Sequence, residues 1–121
     1  MKRNHRDLIV WQQAVKLVVE ICALTSSFPK SEQFGLVSQL RRAAVSAPAN
    51  IAEGAARKGS KEYLQFLSIA SGSLSELDTL LTVAHKPDYV EDATATLARI
   101  DSTSGLVMGL AAAIRRKVSA S

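Results

Sequence analysis

Two histidines, one cysteine, eleven carboxylates and fifteen basic side chains are what this chain of 121 residues offers to chemistry. Neither His5 nor His85 has a glutamate three residues before it, so the Glu-x-x-His pairs with which helical bundles hold two metal ions are missing. Nor does either histidine follow an arginine by four to six residues, the spacing of some helical-bundle ribonucleases. Both read as solvated side chains. Cys22 is alone, which excludes an intramolecular disulfide and a multi-cysteine metal site. It stands in an apolar run without a basic residue at helical spacing, so it reads as a buried structural thiol in a reducing compartment. There is no Gly-x-Ser-x-Gly elbow and no glycine-rich phosphate loop. No catalytic residue, metal or cofactor is expected, and a nuclease or other enzyme is the reading with least support.

The basic residues remain. Arg41 and Arg42 are adjacent, and Arg57, Lys58 and Lys61 surround a turn. Lys2, Arg3 and Arg6 open the chain, and Arg115, Arg116 and Lys117 stand near its end. The net charge of +4 permits an anionic partner without requiring one. Arg41, Arg42, Arg57, Lys58 and Lys61 are the first candidates for contacts to phosphate. The structural alternative is that cations near helix ends answer the helix dipole and that Glu53 pairs with Arg57 one turn away. Aromatic residues are not interleaved with these charges, which argues against base stacking.

These side chains must be held by helices. Apolar residues make up 47 % of the chain, with three prolines and six glycines, so long loops are not expected. A first helix is predicted over 7–27, with Asp7 as N-cap. It carries two apolar seams: Leu8, Trp11, Val15, Val18 and Cys22, and beside it Val10, Leu17, Ile21 and Leu24. A second helix over 31–57 turns Val37, Leu40, Ala44, Ala47 and Ile51 inward, with a kink or short break expected near Pro48. Gly59 in a left-handed turn and Ser60 as N-cap lead to a third helix over 60–85, with Leu67, Ala70, Leu74, Leu77, Leu81 and Ala84 inward. Asp88 and Glu91 suggest a capping box for a fourth helix over 89–118, with Val90, Ala93, Leu97, Ile100, Ser104, Val107, Ala111, Ile114 and Val118 as its inner residues. Gly72, and the stripe of Gly105, Gly109 and Ala113, are expected at close helix crossings.

Four helices with short links in 1–121 give one all-α domain, an antiparallel up-down-up-down four-helix bundle. No signal peptide is read at the start, and no unbroken apolar run approaches the roughly 20 residues of a membrane span. A cytoplasmic protein without a membrane or small-molecule partner is expected. The first helix has more apolar surface than one core consumes, and Phe66, Ile69, Leu80, Leu106 and Leu110 add to the surplus. Self-association covers such surface, and the alternative is a wide core in a monomer.

Within the second helix the run Gly35-Leu36-Val37-Ser38-Gln39-Leu40-Arg41-Arg42-Ala43-Ala44-Val45-Ser46, then Pro48 and Asn50-Ile51-Ala52-Glu53-Gly54, resembles the signature of four-helix bundle proteins of the 23S ribosomal RNA intervening-sequence type. Asp7-Leu8, Val10-Trp11-Gln12, Phe28-Pro29-Lys30 and Gly72-Ser73-Leu74-Ser75-Glu76-Leu77 agree with it. The family's turn before the fourth helix tends to carry Gly before an aromatic residue. Here Lys86-Pro87-Asp88-Tyr89 fills that place. The resemblance implies an antiparallel bundle assembled into a ring, most often a homopentamer, with no established biochemical role. A similar bundle, the accessory protein of diversity-generating retroelements, associates with a reverse transcriptase and with nucleic acid through a basic surface. The resemblance also marks Ser38, Gln39, Asn50 and Glu53 as signature polar residues. Near Pro48, Asn50 or Ser46 could satisfy freed carbonyls and Glu53 could pair with Arg41, Arg42 or Arg57; the competing account is a polar ligand site.

The chain is thus read first as an oligomeric module binding RNA, DNA or a nucleic-acid-processing partner. The second reading is a scaffold with no nucleic-acid role.

Overall fold

The computed structural model describes residues 4–120. A 3-10 turn, Asn4–Asp7, leads into α1 (Ile9–Thr25), and another, Lys30–Glu32, precedes α2 (Leu36–Ala55). The helices α3 (Ser60–His85) and α4 (Thr94–Ala120) follow, with no strand among the described residues. Each helix packs beside its neighbours in sequence, and α4 packs back on α1, which closes a four-helix bundle. Lys2 and Arg3 lie outside the described residues.

The inward seams of α2 and α3 are buried at every predicted position, Val37 to Ile51 and Leu67 to Ala84. Burying each Leu or Ile there contributes about 1.5–3 kcal/mol. On α1 the core takes Val10, Ala14, Leu17 and Ile21. Trp11, Val15, Val18 and Cys22 are only half-buried, so Cys22 is not the buried thiol the pattern suggested. On α4, Ile100, Val107, Ala111 and Ile114 are buried together with Thr96 and Thr103, whereas Val118 is 51 % exposed.

Several helix ends differ from expectation. Asp7 belongs to the 3-10 turn, and Leu8 precedes α1 without a side-chain cap. The segment 31–35 stays outside α2, which starts at Leu36 after Gly35 and continues through Pro48 to Ala55. Gly59 is extended, at φ −97°, and itself precedes α3, so Ser60 is the first helical residue and no N-cap.

The largest difference is at α4. The capping box does not form, because the residues meant for it finish α3 instead. Asp88 has φ 61°, its N–H donates to the His85 carbonyl (3.1 Å), and the Tyr89 N–H donates to the Ala84 carbonyl (3.2 Å). This is the Schellman pattern, with Asp88 in the left-handed place that glycine usually takes. Helix α4 therefore waits until Thr94, whose N–H donates to Asp92 Oδ1 (2.9 Å). That bond holds the Asp92 carboxyl below the usual carboxylate range.

The expected close crossings are not where the glycines cluster. A Cβ on Gly72, Gly105 or Gly109 would have nothing within 4 Å. At Gly54 it would lie 2.9 Å from Phe66 Cβ and from Tyr63 Cδ1, so α2 and α3 approach closely there. One more feature of α4 escapes a search for unbroken apolar runs. It has the length and mean hydropathy (1.3 over 18 residues) to cross a membrane, and 28 % of that window is buried. Gly, Ala, Ser and Thr interrupt the run, yet Arg99 and Asp101 are the only charges in 94–114.

Candidate nucleic-acid interface

The signature residues of α2 face three ways. Toward α3, Asn50 Nδ2 donates to the Ser46 carbonyl (2.8 Å) and to Ser46 Oγ (3.0 Å). Ser46 Oγ meets Ser73 Oγ at 2.7 Å, and Ser73 Oγ donates to the Ile69 carbonyl (3.0 Å). With the Ser73 proton on Ile69, Ser46 donates to Ser73 and the chain runs from Asn50 to α3 with each hydroxyl satisfied. Pro48 frees the carbonyl of Ala44, four residues back. Asn50 does not serve that group; both its bonds stay on α2, and Ser46 makes the link to α3 through Ser73. This is the structural account of the signature.

Toward α1 points Arg41. Its Nε donates to Thr25 Oγ1 (2.9 Å) and its Nη2 to the Cys22 carbonyl (3.3 Å). Thr25 is 2 % exposed and hands its own proton to the Ile21 carbonyl (2.7 Å). The guanidinium thus serves carbonyl and hydroxyl oxygens at the C-terminal end of α1, where the helix dipole favours a cation. Arg42, its neighbour, is exposed on the other side of α2. It lines a groove of about 330 Å³ with Gln39, Ala43, Ser46 and Glu76. Ser38 is half-buried.

The five basic candidates therefore do not make one patch. Arg41 and Arg42 diverge, and they stand 16 and 15 residues before Arg57, more than 20 Å at about 1.5 Å per helical residue. Arg57, Lys58 and Lys61 do sit together at the α2–α3 turn. Arg57 pairs with Glu53 (2.8 Å) and lies over the Phe66 ring at 5.0 Å. Lys58 and Lys61 are exposed and make no ion pair among the described residues.

The fold gives these cations company. The links α1–α2 and α3–α4 meet at one end of the bundle, where the Phe28 and Tyr89 rings are 5.7 Å apart and Tyr89 Oη donates to Glu32 Oε2 (3.3 Å). That end carries Glu32, Asp88, Glu91 and Asp92 against Lys30 and Lys86. The α2–α3 turn lies at the other end. The first 3-10 turn, with Arg6, packs on α1 and α2. Glu20 accepts from Arg99 and from Thr96 Oγ1 (2.6 Å), which ties the start of α4 beside the later turns of α1. The last turns of α4, with Arg115, Arg116 and Lys117, extend away from the acidic end. Among the described residues, Glu53, Glu62 and Asp7 are the side-chain carboxylates on the cationic side.

Residues Glu20, Thr96 and Arg99 were invisible as a group in the sequence, since Glu20 lies 76 positions from Thr96 and 79 from Arg99. Arg99's hydrogen bonds lower the Glu20 pKa against the opposing effect of partial burial, and Thr96 adds to the lowering. The histidines are not purely solvated: His85 Nδ1 meets the Val90 carbonyl at 3.0 Å, and His5 lies edge-on to Trp11 with centroids 5.0 Å apart. Among the described residues no three His, Cys, Asp or Glu side chains converge as metal ligands.

Fold and site define a class: a four-helix bundle with a hydroxyl-and-amide seam between α2 and α3 and opposite charges at its two ends. The sequence model of the 23S rRNA-intervening sequence protein family matches residues 6–108, and the chain belongs to that family. No curated protein matches it.

Proposed function

We propose that this chain works as a non-enzymatic homo-oligomer in the cytoplasm, without a membrane or small-molecule partner, and that its cation-rich end binds the phosphate backbone of RNA or DNA. Five antiparallel bundles in a ring is the count the family resemblance implies. The observation that carries the nucleic-acid reading is the separation of charge along the bundle. Lys58 and Lys61 stand beside Arg57 at one end, with Arg115 and Arg116 on the last turns of α4. Repetition around a ring would multiply that field, and polyanions release counterions when they meet it.

Fluorescence anisotropy with a labelled RNA oligonucleotide tests this. The affinity is expected to fall steeply with salt. Replacing Lys58 and Lys61 by Ala is expected to flatten the log–log slope by about 0.7–0.9 per phosphate contact removed. Absence of binding at low salt, or a slope unmoved by these changes, overturns the reading. One observation favours the scaffold alternative for part of the signature: Arg41 is committed to Thr25 and Cys22. Arg41→Ala is therefore expected to lower stability and leave the salt slope unchanged.

A further inference from the structure

Cations and aromatic rings do not alternate along the chain, yet the fold sets a cation on two rings at the cation-rich end. The Arg6 guanidinium lies over the Trp11 ring, 5.7 Å from its centroid, and Arg57 lies over Phe66 at 5.0 Å. The rings at the acidic end are held differently. Phe28 meets Tyr89, Tyr89 donates to Glu32, and Phe34 is 92 % exposed in the same link as Glu32. Carboxylates there repel a phosphate backbone, so a strand is not drawn to those rings.

Trp11 is held in place before any ligand arrives. His5 stands edge-on to it, with the ring planes at 68°. Gln12 Nε2 donates to the Arg6 carbonyl (2.8 Å) and the Leu8 N–H to the His5 carbonyl (3.0 Å), which fixes the turn that carries His5 and Arg6. One side of the indole packs on the core, and the residue stays half-buried, so part of it meets solvent. The 3-10 turn also packs on α2, and Arg41 meets Cys22 near the far end of α1. Trp11 therefore lies beside the later half of α2, toward Arg57, Lys58 and Lys61.

A ring with cations around it repels a cationic ligand and suits a flat group that brings negative charge with it. A nucleobase on its sugar–phosphate backbone is such a group. Arg6 is exposed, and a cation–π contact at an exposed site is weaker than base–aromatic stacking. A base thus displaces Arg6 from the ring and frees the guanidinium for a phosphate. A paired base in a duplex is covered on both faces by its neighbours, whereas an unpaired base is open to stacking.

We infer that the cation-rich end takes single-stranded nucleic acid, with an unpaired base stacked on Trp11 and Arg6 moved to the backbone beside it. This rests on the phosphate binding proposed above and adds what the site reads besides charge.

Trp11 is the single tryptophan of the chain, so its fluorescence reports on this ring alone. A short single-stranded RNA is titrated at low salt, beside the duplex of the same sequence and an abasic strand of the same length. The RNA strand is expected to quench Trp11 and to bind about 5- to 100-fold more tightly than the abasic strand. The duplex is expected to bind without quenching. Trp11→Phe keeps a ring and is expected to retain the preference for the RNA strand over the abasic one, read by anisotropy. Trp11→Leu keeps apolar packing and is expected to lose that preference, with helicity followed by circular dichroism. Should the leucine variant unfold, quenching in the wild type and the abasic comparison decide. Trp11 unquenched by a bound RNA strand, quenched as strongly by the duplex, or equal affinity for RNA and abasic strands overturns the stacking and spares the phosphate contact. No binding of any strand at low salt overturns both.

Discussion

The α2–α3 contact and the outer face of α4 are built from similar small residues and end in opposite states. Between α2 and α3, Gly54 is pressed against Phe66 and Tyr63, and Ser46 meets Ser73. On α4, Gly105 and Gly109 face open space. Small residues permit close approach but do not cause it. What draws α2 and α3 together is a pair of apolar seams that meet at every turn. A chain of hydrogen bonds then fixes their register. The outer face of α4 has neither within one chain.

The sharpest test of that comparison is a methyl group placed at each kind of glycine. Gly54→Ala is expected to cost about 1–3 kcal/mol by overpacking, read from the urea midpoint at fixed protein concentration. Gly72→Ala, on the open side of α3, is expected to gain up to about 1 kcal/mol. Equal effects at the two sites would dissolve the distinction between packed and open glycines.

A smaller change probes how α4 is attached. Asp88→Gly relieves the left-handed backbone at the end of α3 and is expected to stabilise the protein by about 1 kcal/mol. A loss of stability would mean that the aspartate side chain contributes more than its backbone costs.

The smallest effect belongs to the tie between α1 and α4. The Glu20 pKa is lowered from its ordinary 4.5 in the folded chain. Its contribution is therefore present above 4.5 and is lost as the pH falls through the lower folded value. Arg99 is 57 % exposed, so the gain is expected below about 1 kcal/mol. Glu20→Gln should flatten that part of a stability profile measured across acidic pH. A profile identical to wild type would remove the tie from the account.

Much of this molecule was legible before the fold was known. The seams of α2 and α3 were read residue by residue, because a strict three-four spacing buries one stripe and no other. The pairing of Glu53 with Arg57 was readable for the same reason, one turn apart on one helix. The start of α4 was not. Asp88 can cap a helix that follows or close one that precedes, and local composition does not say which. The partners of Arg41 were not legible for a related reason: its charge was visible, but its engagement with Thr25 and Cys22 depends on how α1 lies against α2.

By itself, the sequence determined four helices, most of their inner faces and the surplus of apolar surface, which follow from local periodicity and composition, and it carried the signature run of the second helix, on which the family resemblance rests. Tertiary structure alone decided which of the two α1 seams enters the core. Val10, Ala14, Leu17 and Ile21 go in, and Trp11, Val15 and Val18 stay at the edge. Both seams are apolar enough for either place. The choice is made by how α1 lies against α2 and α4, which no local pattern encodes. The gathering of cations at one end was also decided there, because charge that is scattered along the chain converges only when helix ends do.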